Sequence, residues 1–405
     1  MELVEGPPQR VRQCSPRVGP FGTPRGTKMT RVTHAVLVAT LLTVPVLVQR
    51  AYAHHGAGLY DMRKNVELEG KLTRVDFVNP HTYIYFDVVG SDGKVLAMKC
   101  ETRGATVLRR SGWSPEMFVK GTTIKVAGHP HREDPTACTV DTMTLGNKPT
   151  LERYQQLSDA KSVNRTNRPL RLANGKPNLA GEWAQEQQVL ATPPPGRGRT
   201  GLVPISQADA IRAGKLPMPA GPAGWFPPPV KLTAAGQAAA EALRKRPTSE
   251  NPRLSCQPTS ILFDWVFDGA IGRITQSANV IKMEYGVGLT RNVQMNMTAH
   301  PANIKPSRAG HSIGRWDGDT LVVDTVGFLP GSLAGNLPHS SKLHVVERFT
   351  LNPTTLELTR DIVAEDPDYF VDKYVDHDSV LPADAPFKVE ACKELAPEYQ
   401  QPGRK

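Results

Sequence analysis

Gly310-His311-Ser312-Ile313-Gly314-Arg315-Trp316-Asp317-Gly318-Asp319-Thr320-Leu321-Val322-Val323-Asp324-Thr325 reads as two β-strands joined by a tight turn. The Asp317-Gly318 dipeptide suits a two-residue type I′ turn, because both central residues of that turn need φ > 0. Alternation with a period of two puts His311, Ile313 and Arg315 on one face of the first strand. It puts Val322, Asp324 and Val326 on one face of the second.

Working outward, turn signals recur at short intervals and mark further strands. The candidates are Ile271–Gln276, Val280–Tyr285, Leu289–Met295, His311–Trp316, Asp319–Val326, Leu343–Leu351, Leu356–Val363 and Tyr369–Val375. Ser277-Ala278-Asn279 and Asn352-Pro353-Thr354-Thr355 join neighbours, the latter with Pro at the second position of a type I turn. Strands so connected predict an antiparallel, lipocalin-like β-barrel over residues 256–392, whose interior just holds one small ligand. In His344-Val345-Val346-Glu347-Arg348-Phe349, Val345, Glu347 and Phe349 share one face, and His344, Val346 and Arg348 share the other. His311, Arg315, Asp324, His344 and Arg348 are therefore candidate ligand-binding residues, since each sits among apolar neighbours on a single side. That pattern fits a pocket with a few placed polar groups, and equally cross-strand ion pairs on a barrel exterior.

Residues 54–147 carry a second β pattern. Val66–Thr73, Thr82–Val89 and Lys94–Thr102 read as strands, Ala105–Arg110 as a helix, and Gly121–Gly128 and Cys138–Leu145 as two more strands. Three strands, a helix and two strands in about 90 residues is the order of an OB-like five-stranded Greek-key barrel. The fold class expected is thus mainly β, an OB-like barrel followed by a larger antiparallel barrel. Between them, residues 148–255 hold Pro193-Pro194-Pro195, Gly196-Arg197-Gly198-Arg199 and Pro227-Pro228-Pro229, the composition of an extended linker. One helix, Leu232–Arg246, interrupts it, with Thr233 as N-cap and Arg and Lys in its last turn. Ala180-Gly181-Glu182-Trp183 reads as a short strand that starts or plugs the second barrel, and residues 393–405 as a tail.

The N-terminus has the parts of a secretory signal. Arg31 supplies the basic start, His34–Val48 the apolar run, and Ala51-Tyr52-Ala53 the small-x-small cleavage site. Residues 1–28, rich in Pro, Gly and Arg, form an upstream extension, with Met29 as an alternative start. The expected location is periplasmic or secreted, and no transmembrane segment remains once the signal is removed. The 405-residue chain has a formal charge of +10, and residues 1–53 hold seven Lys/Arg and two Asp/Glu, which leaves +5 on the mature chain. No concentrated basic stripe follows the signal, so a nucleic-acid partner is disfavoured.

An exported chain with four cysteines beyond the signal, Cys100, Cys138, Cys256 and Cys392, allows three disulfide pairings. Pairing within each domain selects Cys100 with Cys138 and Cys256 with Cys392; free structural thiols are the alternative. Five histidines gather in the first domain. His54 and His55 begin the mature chain, His81 follows Asn79-Pro80, and His129 and His131 follow the fourth strand. A freed N-terminal His offers an amine and an imidazole to one metal, and such ligands suit copper or zinc, although tight zinc-type Cys/His spacing is absent. Solvated loop histidines are the plainer reading.

The chain has no Gly-x-Ser-x-Gly, His-Glu-x-x-His or dinucleotide fingerprint, so no cofactor is predicted. Three function classes remain: binding of a small amphipathic ligand in the second barrel, a cofactor-independent lyase, hydratase or isomerase using its His, Arg and Asp, and copper or zinc handling. The His54-His55 start with Tyr60-Asp61, the Asn79-Pro80-His81 and Gly128-His129-Pro130 turns, the Gly310–Thr325 stretch and His344–Phe349 resemble an exported bacterial family of unknown function. That resemblance implies no activity.

Overall fold

The computed structural model describes residues 59–157, 169–219, 228–247, 250–252, 255–267, 269–389 and 391–393. The signal, His54 and His55 lie outside them.

The first barrel is built from β1 (Val66–Asp76), β2 (Tyr83–Val89), β3 (Val95–Glu101), the helix α1 (Ala105–Arg110), β4 (Thr123–Pro130) and β5 (Ala137–Leu145). The sheet order is β3-β2-β1-β4-β5, and a parallel β3–β5 pairing closes it; a two-residue β6 (Leu151–Glu152) extends the β5 edge. This is the five-stranded arrangement that the strand and helix order predicts. Its core holds Leu72, Ile84, Phe86, Leu108, Trp113, Ile124 and Val140, together with Cys100 and Cys138, which form a disulfide across β3 and β5.

Residues 148–255 were expected as a linker with one helix, and the structure corrects this. After β7 (Gly181–Ala184), β8 (Gln188–Ala191) and β9 (Gly201–Pro204) form a hairpin, against which α2 (Ile205–Arg212) packs. Val189, Ala191, Val203, Ala208 and Ile211 make a small apolar core of their own. Few as these residues are, they bury enough surface to order a segment whose Pro and Gly content reads as open chain. The expected helix is α3 (Ala234–Lys245), where Thr233 Oγ1 accepts a hydrogen bond from Gly236 N at 3.1 Å and donates one to Asp368 O at 2.6 Å. The cap thus also ties the helix to the second barrel.

The remaining strands are β10 (Gly272–Gln276), β11 (Val280–Glu284), β12 (Thr290–Gln294), β13 (His311–Asp317), β14 (Thr320–Val326), β15 (Gly331–Ala334), β16 (Leu337–His339), β17 (His344–Leu351), β18 (Leu358–Glu365) and β19 (Tyr374–Pro382). Nine strands close the second barrel in the order β10-β11-β12-β13-β14-β17-β18-β19-β7, with β15 and β16 as a separate hairpin. The closing strand is β7, which pairs with both β10 and β19. All pairings are antiparallel except β12–β13, which is parallel. A parallel pair cannot be joined by a tight turn and needs a crossover. Residues 295–310 supply it.

The central hairpin turns one residue later than the Asp317-Gly318 reading. Asp317 pairs with Thr320, so Gly318 and Asp319 are the turn, and only Gly318 has positive φ, +59°. One left-handed residue at the first central position is the requirement of a type II′ turn, which Gly meets without a Cβ clash. Because the slip preserves parity, the faces assigned by alternation are unchanged. Cys256 and Cys392 form the second disulfide, closing a sequence separation of 136 residues.

Candidate functional site

The faces of β13, β14 and β17 decide where each candidate residue goes. Ser312, Leu321, Val323, Thr325, Val345, Glu347 and Phe349 are buried and point into the second barrel. Pairing His311 with Val326, Ile313 with Asp324 and Asp324 with Val346 puts His311, Asp324 and His344 together on the outer wall. Of the two placements that alternation allows, these candidate residues thus take the exterior one.

The interior is occupied by the chain itself. Ile261, Leu262, Trp265 and Val266 join the apolar core, and Arg360 donates from Nη1 to Ile261 O at 3.1 Å and from Nη2 to Leu262 O at 2.9 Å. Arg360 Nη1 also reaches Glu347 Oε1 at 3.1 Å, and its Nε reaches Asp378 Oδ1 at 2.9 Å. Arg291 donates to Ser312 Oγ at 2.8 Å, to Thr325 Oγ1 at 2.8 Å and to Glu347 Oε2. Two guanidinium groups thus face two carboxylates where water is excluded, so the charges balance. Burial pushes the Asp378 carboxyl up, against the pull of Arg360. Sequence reading passed over this network because Arg291 and Arg360 lie on separate strands with no shared motif.

On the outer wall the arrangement is a chain of hydrogen bonds. Asp324 Oδ1 lies 3.0 Å from His344 Nε2 and 3.1 Å from His300 Nε2, and His300 Nδ1 lies 2.9 Å from His311 Nδ1. The rings of His300 and His311 meet edge to face, 5.1 Å between centroids. An ionised carboxylate only accepts, so both Nε2–H groups donate to Asp324. A neutral His300 then offers Nδ1 as an acceptor, His311 donates from Nδ1, and the lone pair of His311 is left on Nε2. Burial, and secondarily the neighbouring His300, hold the His311 pKa below its ordinary value. A neutral, oriented imidazole with one uncommitted nitrogen is the chemistry of a general base.

His300 was not among the residues singled out from sequence. It lies in the crossover between β12 and β13, which is fastened by Met295 N donating to Asn279 O at 2.8 Å and Ser307 N donating to Gly327 O at 3.1 Å. The only local signal is His300-Pro301 in a polar loop, which is too weak to mark a site. The two arginines stay apart from the cluster. Arg348 donates to Asp317 Oδ2 at 2.8 Å beside the hairpin turn, and Arg315 is exposed four residues along β13 from His311.

The first-barrel histidines divide in two. His129 sits between Lys64 O, 2.8 Å from Nδ1, and Asp141 Oδ2, 2.9 Å from Nε2, so both ring nitrogens are engaged. His131 Nδ1 accepts from Asp134 N at 2.9 Å and Glu133 N at 3.2 Å, which leaves the proton of the neutral ring on Nε2. His81 Nδ1 is 3.3 Å from Glu101 Oε2, to which Tyr60 Oη donates at 3.1 Å. Burial alone would push the fully buried Glu101 carboxyl up; His81, Arg153 and Tyr60 outweigh it and hold the group below its ordinary value. Among the described residues no three His, Cys, Asp or Glu side chains are arranged to hold a metal ion together.

No curated protein and no solved structure matches the chain. A family model does: residues 43–140 match a family of unknown function, DUF6152, a span that covers the first barrel from β1 into β5 and stops well before the outer-wall cluster.

Proposed function

We propose that the protein is exported to the periplasm or beyond and there catalyses a cofactor-independent proton transfer on a small molecule, as a lyase, hydratase or isomerase does. The observation that supports this is the run of contacts from Asp324 through His300 to His311 on the outer wall of the second barrel. Proton abstraction by His311 Nε2 places a positive charge on its ring, which His300 Nδ1 stabilises as hydrogen-bond acceptor and Asp324 stabilises through His300. His344, held by the same Asp324 oxygen, stands beside the chain as a candidate proton donor. Two disulfides fit an oxidising compartment, and among the described residues no helix is long and apolar enough to cross a membrane. An amphipathic ligand inside the barrel is the weaker reading, because plug residues and the Arg291–Glu347–Arg360–Asp378 network fill the positions it would use.

The experiment follows proton exchange directly, so it does not require the net reaction to be known. The protein is incubated in D2O with a panel of small keto acids, hydroxy acids and enones, and deuterium incorporation is read by NMR. Incorporation into at least one compound, lost in His311→Gln, is the expected result. No exchange above buffer across the panel, or equal exchange by His311→Gln, overturns the reading.

A further inference from the structure

We infer that the free edge of β3 in the first barrel is an interface for a second copy of this chain, joined strand to strand about a two-fold axis at Leu96. The β3–β5 pairing that closes the barrel begins only at Lys99. Among the described residues no strand lies beside Val95–Met98 on that side, so this half of β3 is an open edge of the sheet.

The register fixes which backbone groups this edge presents. Leu96 lies opposite Val88 and Met98 opposite Phe86. Gly90 N donates to Lys94 O at 2.8 Å and Thr102 N donates to Thr82 O at 2.9 Å, so the even-numbered residues of β3 turn their polar groups toward β2. Hydrogen-bonded and open positions alternate along an antiparallel pair, so Val95 and Ala97 turn theirs outward. Lys99 shows the same phase, since its N–H donates outward, to Thr136 O at 2.8 Å. The N–H and C=O of Val95 and of Ala97 thus face away from the sheet where no strand meets them.

An unpaired edge is a template for another strand, and native edges are usually blunted by charge, proline or a bulge. None of these falls within Val95-Leu96-Ala97. Val95 is 63% exposed and Leu96 43%, and Val89, opposite Val95 on β2, is 68% exposed. A second copy fits this edge because the edge complements itself. With Leu96 opposite Leu96, each copy sets Val95 against Ala97 of the other, so the N–H of each meets the C=O of its opposite residue in both directions. The Leu96 side chains come close across the axis, at a position without intervening hydrogen bonds. The same axis sets Lys94, whose Nζ lies 3.1 Å from Asp92 Oδ2, opposite Met98, so no like charges face each other. It sets Lys99 opposite Gly93, where a Cβ meets nothing within 4 Å and the approach is open. A strip this short buries far less than the roughly 1,200–2,000 Å² of a stable interface, so the dimer is weak and reversible.

The test is analytical ultracentrifugation of the disulfide-bonded mature chain at concentrations up to about 1 mM. A monomer–dimer equilibrium that moves toward dimer as concentration rises is expected. Ala97→Pro removes an outward N–H without touching the β2 pairing, and Val95→Lys brings ammonium groups to the edge. Each is expected to weaken the dimer at least about tenfold while keeping the parent circular dichroism spectrum. Leu96→Cys is expected to cross-link the dimer to its own copy on mild oxidation, whereas Val89→Cys, one strand further from the axis, is not. A chain that stays monomeric over the whole range overturns the interface. So does a dimer that survives both Ala97→Pro and Val95→Lys, or one in which Val89→Cys cross-links as fully as Leu96→Cys.

Discussion

Arg360 and Asp378 face each other across neighbouring strands inside the second barrel, with Nε 2.9 Å from Oδ1 and both side chains almost wholly buried. Because water is excluded there, the pair stabilises the fold only while it is complete. Arg360→Met leaves Asp378 and Glu347 without this cation, and the expected loss is about 3–5 kcal/mol in urea unfolding. Arg360→Met combined with Asp378→Leu should recover most of that loss, because it removes both charges. A double variant as unstable as the single one would show that the pair is not the unit.

On the outer wall the expectation is the reverse, with function lost and stability kept. Asp324 is partly exposed and bridges His300 and His344, so Asp324→Asn should change the unfolding free energy by less than about 1 kcal/mol. An amide can donate toward His300 Nε2, which favours the opposite tautomer along the chain. Deuterium incorporation should then fall by about 10²–10⁴-fold. Equal losses of stability and exchange would mark the cluster as structural.

His311 also sets the pH dependence of that exchange. Its pKa is held below 6.5 by burial and by His300, so the ring takes up its proton only at more acid pH. The base is active when neutral, so the midpoint of the acid limb of the rate profile should lie below pH 6.5. A rate profile whose acid limb is centred at or above 6.5 would contradict this assignment.

The Cys256–Cys392 disulfide closes a loop with a sequence separation of 136 residues and fastens the segment that pairs with Asn79. Cys392→Ser should lower stability by about 2–5 kcal/mol. Native-state hydrogen exchange should also show Asn79 N and Lys393 N losing protection, since both bonds depend on that segment. Protection that survives the substitution would show that the first barrel holds the tail without covalent help.

Much of the fold could be read from local pattern. Seven of the eight strands expected in the second barrel are present near their expected bounds, whereas the eighth, expected over Tyr369–Val375, runs instead over Tyr374–Pro382. Here Asp366 accepts from Tyr369 N and Phe370 N and holds residues 366–370 in a turn, so the apolar residues Tyr369 and Phe370 serve as loop packing. Both disulfides were expected from pairing within domains. The second of them also acts between barrels, through Asn79, and nothing in cysteine spacing shows that.

The candidate site was legible only in part, and the reason lies in what alternation measures. A period of two states that His311 and Arg315 share a side, and that His344 and Arg348 share a side; it does not state which side faces inward. Both faces of β17 carry charge, His344 and Arg348 on one and Glu347 on the other, so composition alone does not break the tie. Closure of the barrel breaks it, because Glu347 finds Arg291 and Arg360 inside while Asp324 finds His300 and His344 outside. Strand positions, face membership and the hairpin were thus set by the sequence by itself, since turn residues and side-chain parity act over a few residues. The burial of Glu347 and the arrival of His300 through the parallel crossover were decided only by the tertiary structure, since each needs segments far apart in the chain to meet.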